Sequence, residues 1–263
     1  MFSSGIIVRA THRRSVPAAA TENSRLVFTG TEVMLPWLVK MSIVRKSWDT
    51  FEAMRAAAQE GDAQAQCYLG VCYQNGQGVE QNHQEAVKWF RRSAEQNDPV
   101  AQCYLGVSYW MGQGVPQEYS EAAKWLREAA EQGDPAAQFN LGMLYETGQG
   151  VPQNHAEAVK WYRESAERGY PAAQFNLGVF YESGQVLAKD FAEAAKWYLL
   201  AAEQELADAQ CNLGLCYQTG RGVRQNSTEA VKWFIRAARQ GNKTAQHNLG
   251  LHYAAVESGH LSE

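Results

Sequence analysis

Apolar residues recur along this chain at helical spacing, in short stretches separated by turn-forming residues. From about residue 134, Ala137, Leu141, Leu144 and Tyr145 share one face; over about 155–168, Ala158, Trp161, Tyr162 and Ala166 share another. The boundaries have physical reasons. Gly133 takes the left-handed conformation that ends a helix, and Asp134 caps the next one through its side-chain oxygen. Pro135 fits the first helical position, where its missing N–H costs little, and Gly148 and Gly150 stop the helix in "TGQGVPQ". The pattern predicts two helices joined as a hairpin.

The hairpin repeats. Leu-Gly begins at 69, 105, 141, 177, 213 and 249, each 36 residues after the last. Trp89, Trp125, Trp161, Trp197 and Trp233 keep the same period, as do Gln66, Gln102, Gln138, Gln174, Gln210 and Gln246. A glycine inside a helix costs about 0.5–1 kcal/mol relative to alanine. Six in register predict a packing need, with a partner helix approaching where no Cβ intervenes. An amide recurring on the core side must be hydrogen-bonded, so the Gln series is expected to bridge units.

A 36-residue hairpin with Leu-Gly and Tyr in the first helix, G-x-G-V in the loop, and Ala, an aromatic pair and Ala in the second resembles the Sel-1-like repeat family, a relative of the tetratricopeptide repeats. The resemblance covers about residues 48–254. It implies an all-α fold, a right-handed α-solenoid of 36-residue helix-turn-helix repeats. The domain expected is 47–255: a half repeat, five full hairpins and a terminal helix. Residues 1–46 lie outside it, and 256–263 form a tail. In such a solenoid the first helices line the concave face.

A helical wheel puts Ala136, Phe139, Asn140, Met143 and Glu146 on the face expected to meet that concavity. Two ladders follow from the register. One runs Cys67, Cys103, Phe139, Phe175, Cys211, His247; the other runs Tyr68, Tyr104, Asn140, Asn176, Asn212, Asn248. First helices about 8–10 Å apart would place one Asn against roughly every third residue of an extended peptide. A side-chain amide offers such a backbone both donor and acceptor. The sites expected to bind a peptide are thus Tyr68, Tyr104, Asn140, Asn176, Asn212 and Asn248, with Phe139, Met143 and Phe175 as an apolar floor. The competing reading is that the amides bond across to neighbouring helices and set the stacking.

Charge and composition narrow the partners. The chain has 263 residues, 45% of them hydrophobic, and a net charge of −4. Residues 1–46 hold seven basic and two acidic residues, so 17 basic and 26 acidic remain, net −9. No basic stripe follows residue 46, which argues against nucleic acid. No apolar run reaches the roughly 18–20 residues of a membrane span, so membrane insertion is not expected.

The five cysteines do not read as a metal or disulfide set. Cys67, Cys103 and Cys211 share a position with Phe139 and Phe175, and Cys72 and Cys216 align with Leu144 and Phe180, so these sites accept hydrophobes. Neither metal nor cofactor is expected. An odd cysteine count fits a reducing, cytoplasmic compartment. The family's cysteine-rich secreted branch, by contrast, pairs its cysteines; the resemblance to it implies the alternative function, a hydrolase of β-lactam-like amides. Against that stands the absence of Ser-x-x-Lys, Ser-Asp-Asn and Lys-Thr-Gly. The function implied is a non-catalytic adaptor that binds a protein or peptide in its groove.

Two segments depart from the pattern. Residues 1–46 are Arg-rich and poor in acid, which fits a mitochondrial transit peptide or a disordered extension with Met41 as the start. In the fourth repeat Gly184-Gln185-Val186-Leu187 replaces G-x-G-V, and Glu205 stands where Gly or Asn ends the second helix. Both loops of that unit are expected to change shape.

Overall fold

A computed structural model describes residues 48 and 50–257. The expectations for residues 1–46 and for the end of the tail lie outside the described residues. Every regular element among the described residues is an α-helix. In chain order they are α1 (Phe51–Gln59), α2 (Ala63–Asn75), α3 (His83–Ala94), α4 (Pro99–Met111), α5 (Tyr119–Glu131), α6 (Pro135–Thr147), α7 (His155–Glu167), α8 (Pro171–Ser183), α9 (Phe191–Glu203), α10 (Ala207–Thr219), α11 (Ser227–Arg239) and α12 (Lys243–Glu257). Even-numbered helices, from α2 on, are the first helices of the sequence repeat and are called A; odd-numbered ones are B.

Local chemistry sets these boundaries. Asp62, Asp98 and Asp134 accept from the backbone N–H three residues on, and Pro99, Pro135 and Pro171 open their helices. Gly76, Gly112, Gly148, Gly184 and Gly220 close the A helices in the left-handed conformation. Each A helix packs on the B helix after it, and each B helix on the next A, while α4 also touches α6. The result is a one-dimensional stack in which the core runs through the array.

The internal glycines are seats for side chains. A Cβ on Gly70, Gly106, Gly142, Gly178 or Gly214 would lie 2.6–2.8 Å from Phe90, Leu126, Tyr162, Tyr198 or Phe234, respectively. These knobs are fully buried. The tryptophans one residue earlier are only half-buried: of the apolar face predicted for the second helix, Tyr162 takes the seat, and Trp161 lies at its edge beside Lys160, whose Nζ is 5.5 Å from the ring centroid.

The glutamine series bridges repeats. Gln138 Nε2 donates to Ala130 O of the preceding B helix at 3.1 Å, and Gln66, Gln102, Gln174, Gln210 and Gln246 make the same bond. From the other side Gln96, Gln132, Gln204 and Gln240 donate to the Oε1 of Gln66, Gln102, Gln174 and Gln210. Repeat three has Arg168 in place of that donor, and Gln138 Oε1 is left buried without a partner.

Only one of the fourth repeat's loops departs from the pattern as expected. Gly150 and Gly222 are left-handed, and a Cβ there would lie 2.0 and 1.9 Å from Tyr119 O and Phe191 O. Val186, at the same position, is not left-handed, and with Leu187 it packs onto the core. Glu205 instead keeps the left-handed turn, with φ 66°, at a cost of about 1–2 kcal/mol for a side chain with a Cβ. Its carboxylate offsets part of that by accepting from Gln210 Nε2 and pairing with Arg236.

Candidate functional site

The 36-residue period places the sixth residue of every A helix in one file: Tyr68, Tyr104, Asn140, Asn176, Asn212 and Asn248. Burial divides the file. Tyr104, Asn140 and Asn176 are buried, at 3%, 0% and 1% exposure, whereas Tyr68, Asn212 and Asn248 are half-buried. Asn140 Nδ2 points at Cys103 Sγ on α4, 3.9 Å away, so the side chain faces the neighbouring A helix.

The amides do not close into a structural ladder. Asn140 Oδ1, Asn176 Oδ1, Asn248 Nδ2 and Tyr104 OH are buried without a hydrogen-bond partner in the protein. A buried acceptor in that state costs about 1–3 kcal/mol. Asn212 differs: it bonds the Tyr198 hydroxyl, which itself donates to Glu182 Oε2 at 2.6 Å. Tyr162 donates to Glu146 Oε2 in the same way, at 2.7 Å. Glu146, expected toward the concavity, is half-buried and holds a B-helix tyrosine.

The apolar floor is corrected. Phe139, Phe175 and Met143 are buried at 0%, 2% and 3% exposure, so they form core rather than an open surface. The reason is the neighbouring unit. Tyr170, immediately before α8, folds over Phe139 with ring centroids 5.2 Å apart, and Tyr162 covers another side at 5.5 Å. Phe175 packs on Tyr198 at 5.6 Å. A helical wheel treats one helix alone; α4, α6 and α8 each have neighbours on both sides.

A second polar group sits inside the stack where sequence reading placed only small apolar residues. The Cys103 thiol meets the Asp134 carboxylate, and Asn140 joins from the other side. Burial pushes the Asp134 carboxyl up to about 6, against the opposing N–H bonds from Ala137 and Ala136. Burial likewise raises Cys67 and Cys103 well above the ordinary thiol range, and Cys211 and Cys216 to about 12. A thiol held protonated is a poor nucleophile. The exchange was visible in the aligned repeats: Cys67 with Asp98 and Cys103 with Asp134 become Phe139 with Tyr170 and Phe175 with Leu206. Where Phe139 with Tyr170 and Phe175 with Leu206 enter, the capping bond goes, since Tyr170 and Leu206 make no side-chain cap.

The pattern of the Sel1 repeat matches residues 63–98, 99–134, 135–170, 171–206 and 207–242. Among solved structures, the chain is similar to a protective antigen of uropathogenic Escherichia coli that displays an SLR fold: 36% identity, TM-score 0.71, over 79% of this chain and 44% of that one. It is also similar to a Sel1 repeat protein from Oxalobacter formigenes: 37% identity, TM-score 0.69, over 78% and 90%. The chain thus spans less than half the length of the E. coli antigen. No curated protein matches it.

Proposed function

The chain belongs to the Sel1 repeat family, and from that membership we propose that it is a non-catalytic scaffold holding a protein or peptide partner along the file of A-helix amides. Sel1 repeat proteins are generally protein-interaction scaffolds. The observation that supports this site is the partial exposure of Tyr68, Asn212 and Asn248 at one repeated position, above Asn140 and Asn176, whose Oδ1 atoms are buried without a partner. Six stacked units offer this position at a regular interval, which suits an extended backbone whose N–H and C=O groups are themselves periodic. Asn212 and Asn248, half-buried, form the accessible end of the file, and the acidic balance of residues 47–263 favours a basic partner over an acidic one.

The test is a capture experiment beside a melting curve. The full chain is compared with an Asn176→Ala, Asn212→Ala double variant, and with Tyr198→Phe as a control. The control breaks the Asn212–Tyr198 bond and leaves the amides in place. The expected outcome is a partner retained by the parent and by Tyr198→Phe and lost by the double variant. A purely structural file gives the opposite pattern, a lower melting temperature at unchanged capture.

A further inference from the structure

Repeats three and four carry a polar triad that the other described repeats lack. Tyr162 donates to Glu146 Oε2 at 2.7 Å, and Tyr198 donates to Glu182 Oε2 at 2.6 Å. Asn212, on the next A helix, bonds the Tyr198 hydroxyl. That hydroxyl spends its proton on Glu182, so the amide is the donor and its Oδ1 keeps its acceptor capacity. Asn176 holds the same register against Tyr162 and Glu146, and its Oδ1 is buried without a partner, the residue being 1% exposed. Where the knob is Phe90, Leu126 or Phe234, the glutamate is replaced by Gln74, Trp110 or Gln218. The carboxylate is thus present only where the knob has a hydroxyl.

The triad holds more acceptors than its tyrosine needs. A glutamine oxygen would take the hydroxyl proton as well, and glutamine is what repeats one and five carry. A carboxylate has two oxygens and about four acceptor sites, of which the tyrosine takes one. Glu146 and Glu182 are both half-buried, and no described ion pair includes Glu182. The phenol fixes each carboxylate against its helix pair, and the amide oxygen beside it is a second acceptor. A carboxylate next to an amide oxygen calls for a ligand that donates to both, which among peptide side chains means arginine or lysine. Consecutive A helices about 8–10 Å apart bring the two carboxylates to the spacing of residues i and i+3 in an extended strand.

We propose that Glu146 and Glu182 are paired cation sites that take two basic side chains, three residues apart, from one extended segment. This deepens the scaffold reading, on which it rests for the extended ligand, by naming the chemistry of what is held. Arginine suits each site best, since its planar fork can meet the carboxylate and the neighbouring amide oxygen together. Two sources have this chemistry: a partner chain, and residues 1–46 of this one, which include seven basic residues.

A labelled alanine-based peptide with two arginines three residues apart is the probe, titrated by anisotropy against the full chain. Saturable binding is expected, weakened about tenfold or more by a Glu146→Gln, Glu182→Gln double variant. The glutamines keep an acceptor for Tyr162 and Tyr198, so the melting temperature should match the parent. Glu193→Gln with Glu229→Gln removes the same charge elsewhere on the array and should leave binding intact. A second probe with adjacent arginines should bind more weakly. A full-chain Arg9→Gln, Arg13→Gln, Arg14→Gln variant separates the sources: tighter probe binding means that the chain's own segment competes for the pair, and unchanged binding assigns the pair to a partner. No saturable binding, binding indifferent to both glutamates, or equal binding of the two probes overturns the proposal. A probe lost by the Asn176→Ala, Asn212→Ala variant yet held by the glutamine variant would leave the amide file standing and sink the carboxylate pair.

Discussion

Helices α6 and α12 share most of an eleven-residue stretch, "PAAQFNLGMLY" in one and "KTAQHNLGLHY" in the other. In α6 every residue from Ala136 to Leu144 is buried; in α12 Ala245 is the buried one among the residues whose side chains are described. Shared residues at the bridging glutamine, the asparagine, the Leu-Gly pair and the tyrosine therefore do not determine burial. Neighbours do. α6 lies among α5, α7 and α4, whereas α12 packs mainly on α11 and has no helix after it among those described. In a linear array each unit contributes its own stability plus an interface term, and an end unit is missing one interface.

The sharpest way to break this comparison is one substitution made at both ends of it. Gly142→Ala places a Cβ 2.8 Å from the buried Tyr162 ring and 3.3 Å from Ala158 O, an overpacking that costs about 1–3 kcal/mol. Gly250→Ala meets nothing and gains helix propensity, about 0.5–1 kcal/mol. Urea unfolding of the two variants should move their midpoints in opposite directions. Equal shifts would mean that Gly250 is as enclosed as Gly142.

A smaller effect is expected from exchanging caps. α6 is capped by Asp134, and the same position before α12 is Asn242, which accepts from Ala245 N at 2.9 Å. Burial raises the folded-state Asp134 carboxyl to about 6, so the folded protein binds its proton more tightly than the unfolded chain does. That contribution is complete below about pH 4, declines as pH rises, and is lost above about pH 6. Asp134→Asn keeps the acceptor and removes the charge. At pH 7.5 the variant should exceed the parent by about 3 kcal/mol, and the gap should close toward pH 4, as read from melting curves across that range.

The smallest expected change repairs a defect inside the well-packed region. Gln138 Oε1 is buried without a partner because Arg168 replaces the glutamine found in the neighbouring repeats. In repeat four that glutamine, Gln204, bonds both Gln174 Oε1 and Gly169 O. Arg168→Gln should make both bonds and stabilise by about 1 kcal/mol in chemical denaturation. In repeat five Gln240 already supplies that donor, bonding the buried Gln210 Oε1 at 2.9 Å.

Much of the fold was legible because its signals are local. Capping residues, proline at the first helical turn and left-handed glycines act within a few residues, and the structure has helices at Pro135–Thr147 and His155–Glu167, close to their predicted positions. The Leu-Gly and Gln series were legible as packing and bridging devices because six copies at one period leave little else for them to do. The candidate site was read less well. Phe139 and Met143 were assigned an open face by a wheel that has no neighbours in it, while Tyr170 arrives from the next repeat to cover Phe139. The Cys103–Asp134 contact escaped notice because it joins positions 31 residues apart, although the paired exchange to Phe139 and Tyr170 carried its trace.

By itself the sequence determined the unit: two helices, their ends, the knob and its glycine, and the number of times these recur. Each rests on short-range sterics and hydrogen bonding that a single hairpin already contains. Only the tertiary structure decided which copies are enclosed and which are open. It left Asn140 and Asn176 inside and Asn212 and Asn248 at the accessible end, and it filled five glycine seats but not the sixth. Burial belongs to the stack because surface is removed from water by whatever packs alongside it, and identical helices with different neighbours therefore become different surfaces.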